Sequence, residues 1–226
     1  MLIHKPAELS WEQAAGIPEV WITATQAMYL VGEYSCGKSM LWHAGASSVS
    51  IAGIQLAKSD GASEIFVTAS SQEKIDFCKG LGATEGFNYK TQDWSREVLT
   101  ATGGKGVDVI VDYIGAPYFD GNLETAARDA RVVCLAFMGG ARLPEGVDIS
   151  RLLMKRIRVE GSSLRSRDEV YQGRLRDMLV EHALPKFRDG SFKVPIEKVF
   201  KMEEIQEAHR LMESNRTKGK LICRVD

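Results

Sequence analysis

Residues 43–58 read HAGASSVSIAGIQLAK, and the fold of this chain turns on how they are read. The apolar run Met40-Leu41-Trp42 leads into them. Gly45 and a cluster of small residues follow, and Ile51 to Lys58 then has helical character. A strand, a tight turn of small residues and a helix form the unit that holds dinucleotides. One glycine lets the chain turn, a second admits backbone to a pyrophosphate, and a third lets helix and strand pack closely. Main-chain N–H groups at the helix start meet the phosphate charge. Here only Gly45 stands at the head of the motif, and the strict G-x-G-x-x-G pattern is absent. Ser48 and Ser50 hold two positions where glycine is usual, and their hydroxyls are candidate donors to phosphate oxygens. A left-handed backbone at Ser48 would cost about 1–2 kcal/mol. The alternative is a helix start that packs on a sheet and binds nothing.

Outward from this turn, strand-like and helix-like runs alternate. Strands are expected at Ser39–Ala44, Glu64–Ala69, Gly86–Tyr89, Val107–Gly115, Arg131–Gly140 and Ile157–Ser163. Helices are expected at 49–58, 72–80 and 93–100. Nearly continuous apolar strands separated by helices argue for a parallel sheet covered on both faces. The fold class is therefore α/β: a doubly wound, Rossmann-type parallel sheet with flanking helices, its ligand at the carboxyl ends of the strands. Residues 9–34 look helical, with Ser10 and Gln13 as a capping box. Residues 168–183 form a second long helix capped by Asp168, and the tail is a helix, a stop at Gly219 and a last short strand. This divides the chain into an N-terminal helical segment (1–34), a Rossmann core (35–165) and C-terminal helices with a final strand (166–226).

The tip of the second strand bears on the ligand. An NAD-type site places a carboxylate there for the ribose 2′-hydroxyl. Thr68 to Lys74 read TASSQEK, with no acid at the tip. Ser70 and Lys74 offer a hydroxyl and a cation, which suits a 2′-phosphate, so NADPH is expected over NADH. Ser71 also suits the N-cap of the following helix, with Lys74 solvated. Both can hold at once.

Bulk properties set other classes aside. Among 226 residues, 29 Lys and Arg balance 30 Asp and Glu, so no basic excess points to nucleic acid. Cys36, Cys78, Cys134 and Cys223 are far apart, as are the four histidines, and no metal-ligand spacing appears. No stretch approaches the roughly twenty apolar residues of a membrane span, and the start lacks the apolar core of a signal peptide. A cytoplasmic protein with reduced thiols is expected.

Seven stretches in order carry a resemblance: QAAGIPEVWITATQAM, HAGASSVS, VTASSQEK, LGATEGFNYK, VDVIVDYIGAPY, FMGG and GSSLRSRD. Together they resemble the zinc-independent, ζ-crystallin-like quinone oxidoreductases of the medium-chain dehydrogenase/reductase superfamily, from about Leu9 to Val225. The resemblance implies NADPH-dependent reduction of a quinone or enone without a metal. It implies that Ala46, Ser47, Ser48 and Val49 cradle the pyrophosphate. Ser70, Lys74 and Tyr89 would hold the 2′-phosphate and adenosine end, and Ile114 and Gly115 would lie near the ribose. Phe137, Met138 and Gly139 would face the nicotinamide, with Ser163, Leu164 and Arg165 nearby. Asn215 and residues 218–220 would close over the cofactor.

Two departures stand out. Such proteins usually read G-V-G where this chain has Ser48-Val49-Ser50, and they begin with a GroES-like catalytic domain, of which residues 1–34 would be the last part. In such proteins the last piece of that domain before this part pairs with the C-terminal strand, so GKLICRV is expected to lack this usual neighbour. No acid, base or nucleophile arrangement emerges, so no catalytic residue is named; the cofactor carries the hydride chemistry. The alternatives are a cofactor-poor binding module and a non-redox isomerase or cyclase on the same scaffold. The edge strand near 158–162 is expected to pair with a second copy, making a homodimer with Leu143, Val147 and Leu152 at the contact.

Overall fold

The computed structural model describes residues 2–225. The chain opens with α1 (Trp11–Ala15) and α2 (Pro18–Thr25), and α2 runs on into a π-helical turn, Gln26–Val31. The helix expected over 9–34 is thus interrupted. Ser10 and Gln13 do form the reciprocal capping box. Gly16 ends α1 and Pro18 starts α2, because proline lacks the N–H that a continuing helix needs.

Strand and helix then alternate. The order is β1 (Met40–Trp42), α3 (Ser48–Ser59), β2 (Ile65–Ala69), α4 (Gln72–Leu81), β3 (Glu85–Asn88) and α5 (Trp94–Ala101). It continues with β4 (Val107–Asp112), α6 (Ala116–Thr125), β5 (Ala126–Cys134), α7 (Ser150–Lys155) and β6 (Arg158–Gly161). The six strands form one parallel sheet in the order β3-β2-β1-β4-β5-β6. This is the doubly wound Rossmann-type sheet, with its switch point between β1 and β4.

Several boundaries differ from the sequence reading, each for a local reason. β1 is shorter than Ser39–Ala44, because Ala44 takes a left-handed φ of 47° and turns the chain out of the sheet. β4 stops at Asp112 rather than Gly115, because the Asp112 carboxylate accepts from the main-chain N–H groups of Ile114 and Gly115. The fifth strand lies at Ala126–Cys134 instead of Arg131–Gly140; residues 137–140 form a turn in which the Gly140 N–H donates to Phe137 O at 3.0 Å. Helix α6 escaped the sequence reading because it carries Pro117 and Gly121. Proline is tolerated in a first turn. A Cβ at Gly121 would lie 2.7 Å from the Trp94 ring, so a close approach explains the glycine.

The C-terminal third begins with α8 (Glu169–Met178), capped by Asp168, and continues through a second π-helical turn, Leu179–Ala183, into α9 (Leu184–Arg188). After β7 (Ile196–Lys201) and a short 3-10 turn come α10 (Ile205–Glu213) and β8 (Lys220–Arg224). β7 and β8 pair in parallel as a separate two-stranded sheet. The final strand thus pairs with β7 within the chain. β7 was hidden because most of its residues are exposed and three are charged.

Apolar side chains cover both faces of the main sheet. On one face Trp21, Met28, Ile54, Leu175 and Phe187 belong to a single buried cluster, which joins the N-terminal and C-terminal helices to the sheet. On the other face Leu41, Phe66, Ile110, Leu123 and Val132 pack together. Helix α3 lies unusually close to β1: a Cβ at Gly53 would sit 2.1 Å from the Trp42 ring. Gly53 thus meets the need for close helix–strand packing, at a position outside the turn itself.

Candidate functional site

A cleft of about 500 Å³ opens at the carboxyl ends of β1, β2 and β4. Its floor is built by the turn after β1, the tip of β2 and the tip of β4. It is lined by Ala46, Ser47, Ser48, Ser70, Lys74, Tyr89, Ile114, Met138 and Asn215, nine of the residues singled out in the sequence. Ala44, Thr68, Ala69, Tyr113, Tyr118, Met212, Thr217 and Gly219 also line it. Among the described residues no Asp or Glu does so.

At one end of the cleft, α3 starts at Ser48 with Ser47 as its N-cap, and the Ser47 side chain makes no capping hydrogen bond. Among the described residues no acceptor reaches the N–H groups of Ser48, Val49 or Ser50. The amides of Ser48 and Val49, in the first turn of a twelve-residue helix, are therefore free for an anion, while Ser50 is fully buried. Ser48 does not take a left-handed φ. The strain considered for a serine there does not arise; the left-handed residue is Ala44. Ser50 corrects a second expectation. Its side chain is fully buried and points away from the cleft, with Oγ 2.8 Å from His43 O and 3.1 Å from the Tyr113 hydroxyl. It is not placed to donate to phosphate.

At the other end, Ser70 and Lys74 stand at the β2 tip. Lys74 Nζ donates to the main-chain carbonyl of Asn215 at 2.7 Å. Burial and the nearby Lys90 lower the Lys74 pKa. Ser71 caps α4 by accepting from Lys74 N, as its position suggested. The segment after α10 is tied across the cleft by further contacts. Gly219 N donates to Ala46 O at 3.4 Å, and Lys218 pairs with Glu73.

Behind the floor runs a buried polar chain that links three strands. The Asp112 carboxylate accepts from Ile114 N at 2.6 Å, from Gly115 N at 3.2 Å and from Asn122 Nδ2 at 3.0 Å. Asn122 Oδ1 therefore faces His43 Nε2, at 2.7 Å. An amide oxygen only accepts, so Nε2 carries the proton, and in the neutral ring Nδ1 accepts from the Thr68 hydroxyl at 3.0 Å. Burial pushes the His43 pKa down. Trp94 and Tyr118 stand edge-on to the His43 ring, at 4.7 and 4.8 Å. No local pattern reveals this chain, since its members lie up to 79 residues apart.

Other expected site residues sit outside the cleft. Val49 packs against the core. Gly115 starts α6 with a φ of 85°, and a Cβ there would lie 2.6 Å from Phe137 and 2.7 Å from Gly140 O, so it shapes the tip without lining the cleft. Gly139 donates through its N–H to Ile114 O, which joins the two strand tips. Phe137 is exposed. Leu164 packs on the core, the Ser163 carbonyl accepts from Gln26, and Arg165 is exposed.

Among the described residues no group of three or more His, Cys, Asp or Glu is placed to hold a metal ion, and no helix is long and apolar enough to cross a membrane. β6 is an edge of the sheet. Next to it Leu153 and Met154 are exposed, Leu143 is exposed, Val147 is half-buried and Leu152 packs inward.

The chain is 27% identical over 230 residues to a zinc-type alcohol dehydrogenase-like protein of Schizosaccharomyces pombe, covering 100% of this chain and 63% of that protein. Its structure resembles that of an NAD-dependent alcohol dehydrogenase (33% identity, TM-score 0.84, covering 98% of this chain and 61% of that one). It also resembles the CurK enoyl reductase (26% identity, TM-score 0.84, covering 99% and 65%). A third similar structure is Escherichia coli quinone oxidoreductase complexed with NADPH (27% identity, TM-score 0.82, covering 96% and 67%). This chain thus spans about 63% of the length of the curated relative. The family described as zinc-binding dehydrogenase matches residues 48–180. With its doubly wound sheet and a match over more than half its length, this chain belongs to the zinc-binding dehydrogenase family, within the medium-chain dehydrogenase/reductase superfamily.

Proposed function

We infer that this chain binds NADPH and serves an NADPH-dependent reductase of quinones or enones, of the zinc-independent quinone oxidoreductase type. One observation carries the reading. A single cleft joins free amide donors at the start of α3 to a hydroxyl and a cation at the β2 tip, Ser70 and Lys74, with no carboxylate among the described residues lining it. A dinucleotide spans such a switch-point crevice. Ala46, Ser47 and Ser48 would carry the diphosphate, and the amide N–H of Val49 would add a donor although its side chain packs inward. Ser70, Lys74 and Tyr89 would take the 2′-phosphate and adenosine. Ile114, Gly115 and Met138 would lie along the nicotinamide half, with Phe137, Gly139 and Ser163 to Arg165 around its outer rim. Asn215 would close the cleft from above.

When bound, NADPH supplies the hydride donor. The protein's part is orientation and exclusion of water. The hydrogen bonds from Met138 N to Tyr113 O and from Gly139 N to Ile114 O lock the two strand tips into one surface. Met138, 76% exposed, presents an apolar face beside that surface, which suits a flat quinone or enone. Among the described residues no carboxylate, histidine or thiol lines the cleft, and solvent would supply the proton for the reduced product.

Calorimetric titration tests the reading. NADPH is expected to bind at least about tenfold more tightly than NADH, and equal or reversed affinities overturn the 2′-phosphate assignment. Oxidation of NADPH with 1,4-naphthoquinone tests the activity, and no turnover at millimolar cofactor overturns it. The exposed edge of β6, flanked by Leu153 and Met154, supports a homodimer through residues 142–162. Light scattering that shows a monomer at tens of micromolar removes that part.

A further inference from the structure

The serine at position 50 raises a problem that the fold solves in its own way. Glycine is usual there because helix and turn approach closely. A hydroxymethyl group in a buried site needs hydrogen-bond partners, or its burial is destabilising. Ser50 is fully buried and has two neighbours within reach: His43 O at 2.8 Å and the Tyr113 hydroxyl at 3.1 Å. A carbonyl only accepts, so the single Ser50 proton goes to His43 O. The Tyr113 O–H then donates to Ser50 Oγ.

Tyr113 stands at a telling place. It is the first residue after β4, and His43 is the first after β1, so the two flank the switch point between these neighbouring strands. Its ring is 7% exposed and lines the cleft beside Ala44, Ala46, Ser47 and Ser48. The hydrogen bond therefore spans the crevice floor and joins the β4 tip to the first turn of α3. That turn carries the free N–H groups of Ser48 and Val49.

We propose that Tyr113 is a positioning residue for the dinucleotide: its hydroxyl holds Ser50, and through Ser50 sets the angle at which the α3 amides face the diphosphate. Ser50 and Tyr113 work as a pair that takes the place of the usual glycine. Tyr113 makes no proton transfer. Burial raises its pKa, so the hydroxyl stays protonated and available as a donor. This proposal rests on the cofactor reading above.

The test compares four forms of the full chain: wild type, Tyr113→Phe, Ser50→Ala and the double variant Tyr113→Phe/Ser50→Gly. Each is titrated by calorimetry with whichever of NADPH or NADH the wild type binds more tightly, and each is melted without ligand. Tyr113→Phe removes one oxygen and leaves the ring. It is expected to raise the Kd about tenfold while the melting temperature of the free protein stays within about 5 °C. The double variant has no hydroxyl left without a partner, and its Kd is expected to return to within about threefold of wild type. Restored affinity separates positioning from a general loss of packing, because the double variant has less packing, not more. Should Tyr113→Phe fail to fold, Ser50→Ala breaks the same bond from the other side and is expected to weaken binding likewise. An unchanged Kd in Tyr113→Phe, or a double variant weaker than either single one, overturns the proposal and leaves the cofactor reading standing. A wild type that binds neither nucleotide overturns both.

Discussion

The ammonium of Lys74 donates to the main-chain carbonyl oxygen of Asn215 at 2.7 Å, and so α4 meets the segment after α10 across the mouth of the cleft. Asn215 holds a left-handed φ of 55°. A carbonyl is a weak partner for an ammonium compared with a doubly charged phosphate. Lys74→Gln is therefore expected to raise the Kd for NADPH about tenfold and to change that for NADH less than about twofold, as measured by calorimetry. Equal losses for both nucleotides would assign Lys74 to holding the C-terminal segment alone.

Ser48 begins α3 without a left-handed backbone, so glycine there relieves no strain. It adds chain entropy to the unfolded state instead. Ser48→Gly is expected to lower stability by up to about 1 kcal/mol in urea unfolding. Its effect on nucleotide affinity should stay within about threefold. A tenfold gain in affinity would show that the serine side chain blocks the turn.

Gly53 supports the contact between α3 and β1. A Cβ added there lies 2.1–2.4 Å from three atoms of the Trp42 ring, and Trp42 is fully buried. Such overlap cannot be relieved by one flexible side chain, so helix and strand must separate. Gly53→Ala is expected to destabilise the protein by about 1–3 kcal/mol, although alanine is the better helix former. Equilibrium unfolding in urea reads this directly, and a stabilised variant would contradict the packing described.

His43 is fully buried, and its pKa lies below the ordinary 6.5 because burial disfavours the charged ring. The unfolded chain then binds a proton in a range of pH where the folded chain does not. Stability rises with pH wherever the unfolded state holds more protons. The contribution of His43 is thus present above about pH 6.5 and falls away as pH drops below that value toward its folded pKa. Melting curves from pH 7.5 down to 5 should show this loss, and His43→Gln should show a flatter profile from a lower starting point. A slope unchanged in the variant would assign the loss to other groups.

Much of the architecture was legible in the sequence because it is written in local patterns. The wholly buried runs at Met40–Trp42 and Ile65–Ala69, with Ser71 and Asp168 as helix caps, follow from apolar periodicity and capping chemistry over a few residues. Elements whose composition is set by distant neighbours were not legible. Helix α6 contains Gly121 because Trp94 lies against it, and β7 is a charged, exposed strand recognisable only through its pairing with β8.

The site divides in the same way. Small residues at 46–48 and the acid-free tip at 68–74 are short-range features, and with the alternating apolar runs they let the sequence alone place a doubly wound sheet with a cleft at its carboxyl edge. Only the tertiary structure decided what each serine does. Ser48 and Ser50 are two positions apart in one helical turn, about 200° around the axis, so one lines the cleft while the other is buried against Tyr113. Helical rotation sets that difference, and the partner it selects lies 63 residues along the chain, where no local pattern reaches.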